Sequence, residues 1–147
     1  MNRYMKLAID EAREGIRAGD GGPFGCVIVK NGRVIGKGHN EVIKQQDPTC
    51  HGEIMAIRAA CRETGSFDLS GCTLYTTAEP CPMCRGAVLW ANIGRVCYGC
   101  DVNDTESIGF RDKQFYTSSD DGFTQLDRTE CLELFGEYMR IEDKKAY

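Results

Sequence analysis

Two short clusters constrain this chain most: His51-Gly52-Glu53 and Pro80-Cys81-Pro82-Met83-Cys84. A C-x-x-C pair serves as a chelate only if both sulfurs face one point. Each cluster follows a strand-like or turn-like run and opens a predicted helix. Asp47-Pro48-Thr49 supplies helix-start chemistry before "HGEIMAIRAACRETG". The buried-strand pattern "CTLYTT" leads into "CPMCRGAVLWA", where Pro82 suits a first helical position that needs no backbone donor. Cys81 and Cys84 then lie one turn apart. A crossover between parallel strands lets both helix starts meet at one edge of a sheet.

The remaining pattern fits that layout. Met5, Ala8, Ile9, Ala12 and Ile16 recur at helical spacing and stop at Gly19. "FGCVIV" and "RVIGKG" flank Asn31-Gly32, a strong hairpin signal. Ile54, Ile57 and Cys61 form the apolar face of the helix that Gly65 ends. "RVCYG" reads as a further strand. "VNDTESIGFRDKQFYTSSDDGFT" reads as loop with one short helix, and "TECLELFGEYMRIEDKK" as a closing helix. The order is α, β-hairpin, α, β, α, β, then more α. It predicts one α/β domain over residues 1–147, a three-layer α/β/α sandwich with a mixed central sheet.

The two clusters supply one imidazole, His51, and two thiolates, Cys81 and Cys84. The positive ends of two helices favour thiolate over thiol, the form that zinc binds. A structural zinc closes with four protein ligands, whereas a catalytic one keeps an open position for water. Three ligands therefore point to chemistry. Glu53, two residues past His51, is placed to move protons without ligating the metal. Separately, each half is weak: His-x-Glu pairs are common at exposed helix starts, and a C-x-x-C also serves redox or structural-zinc roles.

Cys97 and Cys100 offer a rival four-cysteine site with Cys81 and Cys84. It is disfavoured because residues three apart on a strand face opposite ways. The helix between the pairs also carries the chain away by about 1.5 Å per residue. Cys26, Cys61, Cys72, Cys97 and Cys131 read as small buried residues, with Cys50 a possible stray ligand beside His51.

A net charge of -4 and a pI near 5.2 argue against a dominant nucleic-acid surface. No run approaches the roughly 18 apolar residues of a membrane span, and the N-terminus has no signal-peptide core. The chain is expected in the cytoplasm, with its nine cysteines reduced.

On these residues the sequence resembles the cytidine deaminase-like superfamily and, within it, the bacterial guanine deaminases. The likeness runs through "GGPFGCVIVKNG", "DPTCHGEIMAIRAAC", "LYTTAEPCPMCRGAVLWA", "GFRDKQFY" and the terminal Lys144-Lys145-Ala146-Tyr147. It implies a mixed five-stranded central sheet and a zinc-dependent hydrolysis of guanine to xanthine and ammonia. By position, it implies that His51, Cys81 and Cys84 hold Zn2+ and that Glu53 shuttles protons. Asn40 would bond the ring edge of the base, and Asp112 would accept its N–H groups. Gly52 would offer a backbone N–H. Tyr147 would close over the site, while Phe24 and Trp90 would add apolar walls. The resemblance also implies a homodimer that exchanges the C-terminal segment, about residues 129–147. Gly52 departs from the family's usual alanine, and Arg111 from a frequent acid. Residues 118–129 match least. Alternatives are a tRNA adenosine deaminase, a cytosine-type deaminase, or a zinc-stapled binding module without activity. Glu53 weighs against the last, because a staple has no use for a proton carrier.

Overall fold

In the computed structural model, which describes residues 1–119 and 122–147, strand β1 (Gly25–Lys30) is buried along its first five residues. A strand buried that continuously needs cover on both faces. Helix α1 (Arg3–Ala18) supplies one cover: Ala8, Tyr4 and Met5 pack with Val27 and Val29. On the other face Cys26 and Ile28 pack with Ala56, Ala60 and Val88. Alternate residues of one strand thus feed two cores, as a period of two dictates. Full burial of side chains such as Ile28, Leu69 and Leu74 stabilises the fold by about 1.5–3 kcal/mol each.

The local signals explain the elements. Asn2 caps α1 by accepting from the Tyr4 and Met5 N–H groups, and Gly19 ends it at φ 75°. Asn31 and Gly32, both at positive φ, turn β1 into β2 (Arg33–His39). A short helix, α2 (Val42–Gln45), precedes α3 (Gly52–Thr64). Strand β3 (Thr73–Ala78), helix α4 (Pro82–Trp90) and strand β4 (Arg95–Cys100) form the predicted crossover. The sheet order is β2-β1-β3-β4, with β1 antiparallel to both neighbours and β3 parallel to β4.

The sheet is mixed, as expected, but among the described residues it has four strands rather than five. After Cys100 the chain turns straight into α5 (Val102–Ser107), started by a reciprocal capping box between Asp101 and Asp104. Helix α6 (Asp112–Phe115) follows, so the region read as loop with one short helix contains two. The loop reading at residues 120 and 121 lies outside the described residues.

The chain divides into two compact units, Met1–Thr117 and Ser118–Tyr147. The second contains α7 (Arg128–Met139), which ends six residues before the expected helix does at Lys145. Apolar spacing fades after Met139, leaving mostly charged residues. No helix among the described residues is long and apolar enough to cross a membrane.

Register decides where function sits. Gly25 pairs with His39, Cys26 with Thr76, and Ala78 with Cys100. The start of β1 and the ends of β2, β3 and β4 therefore share one edge of the sheet. Phe24, Asn40 and Cys81 all follow from that edge.

Candidate active site

His51 is the N-cap of α3 and Cys81 the N-cap of α4, and neither side chain caps its own helix. Both are free to turn toward a shared point. Cys84 comes from the first turn of α4, with Pro82 at the helix start. One ligating atom each from His51, Cys81 and Cys84 lies within 4.8 Å of the others. Cys81 Sγ is 3.6 Å from His51 Nδ1.

The electrostatics fit a cation there. The neighbouring Cys84 thiol, then His51, pull the Cys81 thiol down to about 4. Cys84 is held well above the ordinary thiol value by that same bond and by burial. An ionised sulfur at the shared point attracts a cation. His51 is raised, chiefly by its bond to Cys81. One imidazole and two sulfurs converging from two helix N-termini are a donor set that suits zinc.

Glu53 is buried in the first turn of α3. Thr76 Oγ1 donates to its Oε1 at 3.0 Å. Burial pushes the carboxyl above its ordinary value, against hydrogen bonds that pull it down. A carboxylate shifted in that direction is better matched to taking and returning protons near neutral pH.

His51, Glu53 and Cys81 face a cavity of about 490 Å³, a size that takes a small ring compound. Phe24, Asn40, His51, Glu53, Cys81 and Asp112 all line it. Phe24 and Phe110 meet edge to face, with ring centroids 4.8 Å apart at 80°. Asn40 is buried, and its Oδ1 accepts from the Val42 N–H at 3.1 Å, which fixes the amide plane. Asp112 opens α6, and its carboxyl is raised first by burial and then by the Cys81 charge.

Residues 1–100 match the zinc-binding region of the cytidine and deoxycytidylate deaminases. The chain belongs to this deaminase family. It is 42% identical to the guanine deaminase of Bacillus subtilis (strain 168), over 98% of this chain and 97% of that protein. The X-ray structure of guanine deaminase from Bacillus subtilis matches with a TM-score of 0.93, covering 100% of this chain and 99% of that one. The tRNA-specific adenosine deaminase of Aquifex aeolicus (strain VF5) is also 42% identical, over 65% of this chain and 62% of that protein. Zinc is the metal that the family's binding region and this donor set support.

Other residues of this deaminase fall outside that constellation. Gly52 is buried but is not among the cavity-lining residues; a Cβ there would meet the Phe24 carbonyl oxygen at 3.1 Å. Tyr147 lies in the second unit and is 83% exposed, and Trp90, on α4, is 67% exposed rather than part of a wall or core. Cys97 and Cys100 do not join the ligand group, and neither does Cys50, which is buried near Arg58. Cys26 and Cys72 are buried as expected, but Cys131 is exposed.

Some functional groups escaped the sequence reading. Thr76 is one, and its signal was a polar residue on the inward face of β3, between Leu74 and Ala78. Glu79 is another. Its Oε2 accepts from the Val102 N–H at 3.0 Å, and its own N–H donates to the Cys100 carbonyl at 2.8 Å. Tyr116 Oη donates to the Pro80 carbonyl at 2.5 Å. Together they hold the approach to Cys81 in place. Phe110 shared its motif with Asp112 and went unread for want of a partner, which turned out to be Phe24.

Proposed function

We propose that this deaminase hydrolyses guanine to xanthine and ammonia, with His51, Cys81 and Cys84 holding zinc and Glu53 carrying protons. One observation carries the reading. His51 and Cys81 of the ligand group, together with buried Glu53, line a cavity that Phe24, Phe110, Asn40 and Asp112 also line. The full-length likeness to a guanine deaminase supports the choice of base.

When bound, zinc supplies the Lewis acidity that makes water nucleophilic near neutral pH. Glu53 takes one proton from that water as its oxygen bonds to the ring carbon bearing the exocyclic amine. Glu53 then returns the proton to the amine nitrogen, the C–N bond breaks, and ammonia leaves. Such general acid–base work contributes about 10²–10⁴-fold. The Phe24–Phe110 pair, already in edge-to-face contact, gives the flat ring one aromatic wall. Asn40 bonds the ring edge, Asp112 accepts ring N–H groups, and the Gly52 N–H lies at the α3 start for a further contact.

The wider reading goes with it. We place the protein in the cytoplasm, where its nine cysteines would stay reduced and Cys81 and Cys84 available to the metal. The working form is a homodimer in which residues of about 129–147, ending in Tyr147, cross to the partner's cavity. Leu134 and Phe135 of α7, 59% and 65% exposed, are the apolar surface such a segment needs.

The test is ammonia release by the zinc-loaded protein offered guanine, adenine, cytosine and tRNA in turn. Guanine should be turned over fastest. Release from tRNA or cytosine but not from guanine would refute the substrate and move the chain to the adenosine or cytosine branch of the family.

A further inference from the structure

We infer that His39 is a positioning residue: its imidazolium, clamped between Glu11 of α1 and Asp20, locks the loop at Gly21 against Asn40. The inference rests on the reading that Asn40 contacts the base.

His39 ends β2 and directly precedes Asn40. Its ring is largely buried. Nδ1 lies 3.0 Å from Glu11 Oε1, and Nε2 lies 2.7 Å from Asp20 Oδ2. Both ring nitrogens face carboxylate oxygens, and a proton on each nitrogen satisfies both contacts. The ring rests directly on α1, where a Cβ at Gly15 would come within 2.5 Å of His39 Cδ2. Glycine is unfavourable inside a helix; here it makes room for the imidazole.

The surrounding charges close the cluster. Glu41 Oε1 lies 3.8 Å from Nε2, Lys37 Nζ lies 3.4 Å from Glu11 Oε2, and Lys44 Nζ lies 3.8 Å from Glu41 Oε1. Three carboxylates face three cations only while His39 is protonated. Asp20, His39 and Glu41 also gather within 4.8 Å, but Nε2 and Asp20 Oδ2 already meet in direct hydrogen-bond contact at 2.7 Å.

The clamp reaches the cavity through Asp20. Its backbone carbonyl accepts from the Ile43 and Lys44 N–H groups at 3.0 and 3.1 Å, which ties down α2. The next residue, Gly21, touches Asn40 so closely that a Cβ would lie 2.1 Å from Asn40 Oδ1. Asn40 N–H donates to the Phe24 carbonyl at 2.9 Å. Gly21, Gly22, Asn40, Val42 and Ile43 all line the cavity. Deprotonating His39 leaves carboxylates facing a bare nitrogen, and the wall beside Asn40 loses its tie.

Burial lowers the proton affinity of His39, but Asp20 and Glu11 outweigh it and hold the group above its ordinary value. A histidine raised on folding stabilises fully below its unfolded pKa, about 6.5, and that stabilisation is lost as pH rises through the folded value.

The chain has two histidines, so in the zinc-loaded protein the imidazole that titrates is His39. Nitrogen NMR should show both its ring nitrogens protonated at pH 6.5, with a midpoint above that. The KM for guanine should rise through the same midpoint while kcat holds. A His39→Gln variant should show a KM about tenfold higher and flat with pH, the pattern of lost binding alignment. If that variant does not fold, Asp20→Asn should lower the His39 midpoint and raise KM. A midpoint at or below 6.5, or a KM profile unchanged by the variants, would overturn the inference. Should guanine prove the wrong substrate, the NMR midpoint and its shift in Asp20→Asn still decide the clamp separately.

Discussion

Asp112 and Asn40 offer different hydrogen-bonding chemistry to one cavity: a carboxylate that only accepts, and an amide whose oxygen is already turned to the Val42 N–H. In the proposed reading Asp112 takes N–H groups of the base. Asp112→Asn keeps the shape and removes the charge. Hydrogen bonds to charged groups contribute about 1.5–3 kcal/mol, so kcat/KM for guanine should fall by about 10–100-fold with zinc content unchanged. Steady-state ammonia release checks this, and an unchanged kcat/KM would remove Asp112 from the site. The ligating residues were legible because their spacing carries a geometric demand: two sulfurs on one turn, an imidazole at another helix start. Asn40 and Asp112 were legible only through resemblance, since a turn asparagine and a loop aspartate look alike in any chain. Thr76 was missed because its role depends on Glu53, which a different element, α3, brings to it.

Helix α3, which His51 caps, is seated on glycines of β2. A Cβ at Gly36 would fall 2.6 Å from the Ala60 N and 2.7 Å from the Ala56 carbonyl, so α3 lies directly against β2. Gly36→Ala forces the helix away from the strand. It should destabilise the protein by about 1–3 kcal/mol or more, read as a lower urea midpoint. Because α3 carries His51 and Glu53, zinc affinity should fall with it; an unchanged midpoint would show that the contact yields cheaply. Most elements were written in local pattern: the apolar stripe and glycine stop of α1, the Asn-Gly turn, the alternating cores of β1. Three were not. The four-residue α2 is too short to show a period, although Asn40 before Val42 is its start signal. The fifth strand came from family likeness rather than from any strand-like run, and α5 stands where the chain leaves β4. Helix α7 was overextended because its charged tail has residues that favour helix but no face to bury.

At the scale of the molecule, the mixed sheet turns separate segments into one site: the start of β1 and the ends of three strands share an edge, and two helix N-termini open there. The proposed tail exchange would add a contribution from a second subunit. Mixing two inactive forms tests it: Glu53→Gln in the full chain, and a chain lacking Ala146 and Tyr147. If the tail crosses, the mixture regains guanine turnover, because the first form lends its tail to the intact Glu53 of the second. A mixture no more active than its parts would confine the tail to its own subunit. Beneath all of this lies the claim that His51, Cys81 and Cys84 hold the metal while Glu53 moves the protons. The direct measurement is zinc content and guanine turnover of Glu53→Gln beside the unaltered protein. Zinc should stay at the unaltered level while ammonia release falls by at least about 10²-fold. Full turnover with zinc in place would contradict the account.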